Sequence, residues 1–556
     1  MAEDTPSKGQ SRNPSHSRRA FLKGLGAASL SVPIASIASA AIQRRPDVLS
    51  GPGTLNFKTR RDQSFNNRFN AAVDDHQVTP APQVTNGDEA RYRSGIANFT
   101  KGFPHNSFGE IDPSVYAAYL AAVKTGKRAD FDALTMGGTE RLVDPQSGIA
   151  FDLETLDQSQ SSIPPFDTLA SPGLAAQMIE VYWQALVRDV AFTDYETDSS
   201  IASAVSELNG LSSFSGPRIA GNVTAQSLFR GFTSGDLIGP YVSQFFLQPF
   251  TIGAMPFVGY LTALPGDFGI DPASWLNIQN GAPAPLAPSN PDSQLRYLRS
   301  ARDLAEYVHN DVLYQEYLNA VLMLLQMKAP LNSGNPYPPS LKSETGFITF
   351  GFPMIEGMVA EVITRAIKNA WFQKWFVHRV ARPEETAGLV HLTITGQKSY
   401  PLDSSVLNSK AAAALFARNG NYFIPLSYPE GCPLHPSYPS GHATAAGAAV
   451  TVLKWFFDET FVIPNPLTSN SDGTGVTPYT SSDANQITVG GELNKLAANV
   501  GFGRVFSGIH WRQDIIQGML LGERVAISLL SDQGHLYNEN YKGFTFTKFD
   551  GTKITV

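Results

Sequence analysis

The sequence predicts a mainly α-helical protein made of helix bundles, two four-helix-bundle-like halves, with few short strands. Three observations carry this. Apolar residues recur at helical spacing in long runs: Pro172–Phe192, Gln294–Met327 and Met354–Ala381. Proline stands where the helical pattern from Pro113 begins, a position at which its missing N–H costs nothing. Strand alternation is almost absent; "GLVHLTIT" (Gly388–Thr395) is one short candidate.

In chain order, residues 1–40 read as an export signal. Paired Arg18 and Arg19 precede Phe21, Leu22 and Lys23, then a weakly apolar stretch, then Ala38-Ser39-Ala40, a small-x-small cleavage pattern. This resembles a twin-arginine signal, which places the mature protein in the periplasm or outside the cell. "PSVYAAYLAAV" (Pro113–Val123) is the next helix, followed by Pro172–Phe192 and the long run to Met327. The loop "APLNSGNPYPPS" (Ala329–Ser340) divides an N-terminal helical half, 41–340, from a C-terminal half, 341–556. The Met354–Ala381 helix breaks at Arg382-Pro383, because the residue before proline resists the helical region. Two further helices follow Ser440 and His510, separated by a polar loop, Pro464–Gln486. The most apolar run, Asn319–Met327, is too short to span a membrane.

Composition narrows the function. The chain has 556 residues, 42% hydrophobic and 16% charged, which suits large buried cores. A net charge of −7 argues against nucleic acid as a partner. The one cysteine, Cys432, excludes an intrachain disulfide and a CxxC metal site.

The chemistry concentrates in three stretches. In "HPSYPSGHATAAGAAV" (His435–Val450), Ser440 and Gly441 open a helix, and His442 falls in its first turn. A helix start of this kind presents free N–H groups to an anion. "QKWFVHRVARPEE" places Lys374 and Arg382 eight apart, with His378 and Arg379 between them. "GFGRVFSGIHWRQDIIQG" carries Arg504, His510 and Asp514; on a helix the last two lie one turn apart, so the carboxylate can orient the imidazole. Arginines offer forked donors to an oxyanion and lysine a point charge.

The order Lys374-x7-Arg382-Pro383, Pro439-Ser440-Gly441-His442 and Gly503-Arg504-x5-His510-x3-Asp514 resembles the signature of the type 2 phosphatidic acid phosphatase superfamily. Within it the chain is similar to vanadium-dependent haloperoxidases of the algal and cyanobacterial bromoperoxidase branch. Asn98–Pro113, Gly235–Phe246, Asn335–Ser340 and Lys374–Glu384 add to the likeness, which spans roughly residues 95 to 540. The resemblance implies vanadate in the C-terminal bundle. Lys374, Arg382 and Arg504 hold its oxygens, Ser440 and the Gly441 N–H add hydrogen bonds, and His510 ligates the metal with Asp514 behind it. His442 is the acid–base group, Lys374 also polarises bound peroxide, and His435 shapes the halide side. The implied partners are hydrogen peroxide, bromide or iodide, and an organic acceptor, in a homo-oligomer. A structural calcium is compatible with the resemblance, although no EF-hand loop is present.

Two other functions fit the same residues. A phosphatase would use His510 as nucleophile and His442 as acid; His435 and the Lys374–Glu384 context favour the peroxidase. A non-catalytic oxyanion-binding protein has no need of an imidazole oriented by Asp514. Bound vanadium without peroxide-dependent turnover would point to the latter.

Overall fold

The computed structural model describes residues 57–283 and 290–556. The export signal expected over residues 1–40 lies outside the described residues. Contact density divides the chain into Met1–Asn66 and Asn67–Val556. The first contributes described residues only from 57, the start of a helix that runs Phe57–Gln77. The helices and loops that build the site belong to the second unit.

Among the described residues, nine helices position the site: α1 (Pro113–Thr125), α2 (Pro172–Leu186), α3 (Ala301–Asn310), α4 (Gln315–Gln326), α5 (Phe352–Phe372), α6 (Pro383–Ile394), α7 (Gly441–Phe456), α8 (Val489–Phe506) and α9 (Arg512–Gly534). Helices α5, α7, α8 and α9 pack into one bundle with α7 at its centre, and α3 lies along α8. A second group gathers around α2, with Ser199–Gly210, Ser404–Leu407 and Lys410–Asn419 against it. Among the described residues the strands form three two-stranded antiparallel hairpins. One of them, Leu467–Ser469 with Val476–Pro478, lies inside the loop predicted over Pro464–Gln486. No described helix is long and apolar enough to cross a membrane.

The Ala-rich stretch after His442 has a packing reason. A Cβ on Gly447 of α7 would lie 2.2 Å from the Met519 carbonyl of α9, and one on Gly522 of α9 would lie 2.1 Å from the Thr444 carbonyl. The two backbones touch, which only small residues permit. Every α7 residue from Ala443 to Phe456 is buried. This contact sets the start of α7 beside the start of α9.

Four local expectations change. "GLVHLTIT" is helix, not strand: residues 388–394 complete α6, opened by Pro383 at its first turn. Tertiary burial of almost the whole of α6 overrides the β-branched composition. The Gln294–Met327 run is two helices, broken at Asp311, whose backbone is extended. The regular helix from Phe352 ends at Phe372, not at Arg382. A wider turn over Gln373–His378 comes next, and Arg379 closes it in the left-handed region at φ 46°. A helix follows His510 as expected, but its cap is Trp511, so His510 meets Asp514 from outside the helix rather than one turn away on it.

Candidate active site

The site forms where three chain breaks meet. Lys374 sits in the wide turn after α5, and Arg382 caps α6. The loop from Tyr428 to Ser440 crosses between them and enters α7, pinned by a Ser437 N–H to Val380 carbonyl hydrogen bond of 3.0 Å. His510 and Asp514 straddle the start of α9, and the Ser440 N–H donates to the Asp514 carbonyl at 3.0 Å.

Arg382 is the hub. Its Nη1 lies 2.8 Å from His510 Nε2 and donates to the Ile509 carbonyl at 2.8 Å. Its Nη2 lies 3.0 Å from His435 Nδ1, and its Nε donates to the His435 carbonyl at 3.2 Å. Guanidinium only donates, so both imidazole nitrogens accept. Lys374 Nζ donates to the carbonyls of Pro436 (2.7 Å) and Ser437 (2.6 Å), which leaves one N–H of its three. Arg504 Nη1 donates to the Val308 carbonyl at 2.7 Å and to Tyr428 Oη at 3.3 Å, while its buried Nε has no partner among the described residues.

Asp514 organises the side of the site at the start of α9. Its Oδ2 accepts from His510 Nδ1 at 2.6 Å, from Ser437 Oγ at 2.5 Å and from the Trp511 N–H at 3.0 Å. The proton therefore rests on Nδ1, and the Nε2 lone pair faces the cations. Burial pushes the Asp514 carboxyl up to about 6, with its hydrogen bonds to Ser437 and Trp511 opposing. Burial, reinforced by Arg382, holds Lys374 well below the usual lysine range, a shift that an anion beside it opposes by favouring the charged form. Burial and the neighbouring Arg382 and Lys374 keep His510 neutral. Burial, Lys374 and Arg382 do the same for His435.

At the start of α7, Ser440 Oγ accepts from the Ala443 N–H at 3.3 Å, so its hydroxyl proton is free to donate. The Gly441 N–H precedes the first intrahelical hydrogen bond and points ahead of the helix. His442 Nε2 lies 3.2 Å from Asp311 Oδ1. Burial raises the Asp311 carboxyl, but His442, Arg504 and a backbone hydrogen bond together outweigh it and the net shift is downward. A cleft of about 370 Å³, lined among others by Asp311, His442 and Arg504, opens onto this region.

The structure thus brings together every residue to which the sequence assigned a role: Lys374, Arg382, His435, Ser440, Gly441, His442, Arg504, His510 and Asp514. His378 stands apart, buried against Tyr438 at 4.9 Å between ring centroids. Sequence reasoning missed Asp311, Ser437 and Trp371. Trp371 packs against His435 at 4.7 Å and against the site of a Cβ on Gly441 at 3.0 Å. Asp311 was hidden by reading one helix through 294–327; the polar "HND" (His309–Asp311) was the available signal of a break.

The donor set fits a tetrahedral oxyanion such as vanadate. Three cations lie buried, and among the described residues none of them forms a salt bridge; their hydrogen-bond partners are carbonyls, imidazoles and a tyrosine hydroxyl. Uncompensated buried charge of this kind is costly without an anion. Among the described residues no group of three or more His, Cys, Asp or Glu could hold a further metal ion.

Residues 362–538 match the family described as the VCPO second helical-bundle domain, a span that holds the whole site except Asp311. The chain is 36% identical over 524 residues to a vanadium-dependent bromoperoxidase of Ascophyllum nodosum, covering 89% of this chain and 92% of that protein. It is 33% identical to the vanadium-dependent bromoperoxidase of Corallina pilulifera, covering 90% and 99%. The fold superposes on the homohexameric second vanadate-dependent bromoperoxidase of Ascophyllum nodosum with a TM-score of 0.85 at 32% identity, covering 94% and 95% of the two chains. With a site whose charge fits vanadate, and likeness running through nearly the full length of both relatives, the chain belongs to the vanadium-dependent bromoperoxidase family.

Proposed function

We propose that this protein uses vanadate and hydrogen peroxide to oxidise bromide or iodide, delivering a hypohalous acid equivalent to an organic acceptor. The observation that carries the reading is the His510 Nε2 lone pair, fixed by the 2.6 Å hydrogen bond from Nδ1 to Asp514 and aimed into buried cations that lack salt bridges. Vanadate, when bound, supplies a Lewis-acidic centre that activates peroxide toward halide.

The chain's own groups do the rest. Lys374, Arg382 and Arg504 neutralise the oxyanion, and the remaining Lys374 N–H is the donor left for a ligand oxygen. Ser440 and the Gly441 N–H add neutral hydrogen bonds at the helix start. Asp514 holds the proton on His510 Nδ1 and so keeps Nε2 available as a ligand atom. His442 shares a proton with Asp311 through Nε2, which suits it to take and return protons at the cleft. His435 and Trp371 form the wall beside Lys374, the side we assign to halide.

The test is direct. Apoprotein supplied with vanadate should brominate a phenol from peroxide and bromide, and phosphate should compete for the empty cations. Equal bromination in a vanadium-free preparation, or dominant phosphatase turnover, would overturn the reading.

We further propose export by the twin-arginine route, supported by Arg18-Arg19 and Ala38-Ser39-Ala40. The mature N-terminus is then near Ala41, which N-terminal sequencing of exported protein checks. We propose a homo-oligomer, supported by the homohexameric relative. The division into helical halves at 341 is likewise our reading, supported by the Pro/Gly-rich loop before it.

A further inference from the structure

The cleft that reaches Arg504 and His442 carries a second His–carboxylate pair on its wall. His309 Nε2 lies 2.6 Å from Glu430 Oε1. These side chains are 24% and 34% exposed, whereas the inner carboxylate, Asp311, is 4% exposed. The outer pair is braced from two directions. The His309 ring stacks on Tyr428 at 3.8 Å and 11°, and Tyr428 Oη donates to the buried Ala305 carbonyl at 2.6 Å. The Glu430 backbone carbonyl accepts from Lys101 Nζ at 2.7 Å, and Lys101 is itself buried in an ion pair with Glu384 at 2.8 Å. A histidine–carboxylate contact this exposed adds little stability. The remaining wall includes Val308, Leu313 and Pro433, and a volume of about 370 Å³ admits a single aromatic ring.

We propose that Glu430, oriented by His309, binds the hydroxyl of a phenolic acceptor and holds its ring in the cleft beside Arg504 and His442. The proposal rests on the haloperoxidase reading and names the class of acceptor. A carboxylate here accepts the phenol O–H, selects neutral hydroxyl-bearing rings and disfavours anionic ones. The hydrogen bond draws electron density into the ring. The ring carbon then attacks the bromine of hypobromous acid. A C–Br bond forms, and the Br–O bond breaks with its electron pair going to oxygen. The ring C–H proton leaves with that hydroxide as water. Carbon is oxidised as bromine falls from +1 to −1, and Glu430 is unchanged. Glu430 is a binding residue and His309 a positioning residue.

The test is an internal competition in the vanadate-loaded enzyme with peroxide and bromide. A phenol and its methyl ether are present together, and the ratio of their brominated products is compared with that from reagent hypobromous acid. The wild-type enzyme should favour the phenol by about tenfold over the reagent, the scale of one charge-assisted hydrogen bond. Glu430→Gln should bring the ratio to the reagent value, and Glu430→Asp should restore part of it. His309→Phe, which keeps a ring on Tyr428 but loses the hydrogen bond, should fall between, and it serves if Glu430→Gln does not fold. A wild-type ratio equal to the reagent's, or an elevated ratio that survives Glu430→Gln, overturns the proposal while leaving the haloperoxidase reading intact. Absence of any peroxide-dependent bromination overturns that reading and the proposal with it.

Discussion

Replacing Gly522 by alanine tests whether the α7–α9 backbone contact builds the site. The added Cβ would meet the Thr444 carbonyl at 2.1 Å and the Ala448 nitrogen at 2.6 Å, both backbone atoms that cannot rotate away. Restoring ordinary contact requires the helices to separate by about 1 Å, a shift that a close-packed interior resists. Overpacking of this kind costs about 1–3 kcal/mol. The separation also moves Ser440, Gly441 and His442 at the start of α7 away from His510 and Asp514 at the start of α9. A misplacement of about 1 Å can lower turnover roughly 100-fold even when the mutated residue touches no reactant. Gly357 is the control: it lies exposed on α5, and a Cβ there meets nothing within 4 Å. Gly357→Ala should stabilise by about 0.5–1 kcal/mol through helix propensity and leave turnover alone. Urea unfolding, vanadate titration and bromination rates compare the two. Wild-type stability and turnover in Gly522→Ala would refute the reasoning.

Further outcomes rest on the same geometry. His510→Ala should abolish bromination while leaving weaker vanadate binding by the cations, whereas Asp514→Ala should lower affinity or activity by roughly 10–100-fold; near-normal turnover in His510→Ala, measured beside vanadate titration, would remove it as the ligand. Asp311→Asn takes the charged partner from His442 and should slow turnover about tenfold or more with little change in vanadate affinity, read by the same two assays. His435→Phe should shift relative iodide, bromide and chloride rates; because His435 also accepts from Arg382, an equal fall in vanadate affinity would place it in the anion cradle instead. Glu385 is buried and its carboxyl is pushed up to about 8, first by burial and then by Glu384. A raised folded-state value means the proton stabilises the fold at low pH, and that stability is lost as pH rises from the ordinary carboxylate range through about 8. Glu385→Gln should therefore gain melting temperature relative to wild type as pH climbs from about 5 to 9; a difference that stays constant with pH counts against it.

Much of this molecule was legible in the chain. Helical periodicity, proline at helix starts and the Ser440-Gly441 cap are local properties, and local properties survive into the fold: α1, α2 and α7 start where those residues predict. The nine proposed site residues came from donor types that suit an anion and from the order Lys374, Arg382, Ser440, Gly441, His442, Arg504, His510 and Asp514, with His435, that resembles a known family. What the sequence could not reveal are contacts between distant segments. "GLVHLTIT" has a strand's composition and became helix because its surroundings bury nearly all of α6. Asp311 meets His442 across 131 positions, and Glu430 meets His309 across 121, with no spacing rule to announce either. His510 reaches Asp514 from outside the helix, so the expected partnership held while its geometry came from a helix cap. By itself the sequence determined roughly where helices begin and, through its resemblance to a known family, which side chains to expect at an anion site. Only the tertiary structure decided how cations were stripped of salt-bridge partners and gathered at one point, because burial, charge compensation and backbone contact depend on segments that chain order keeps far apart.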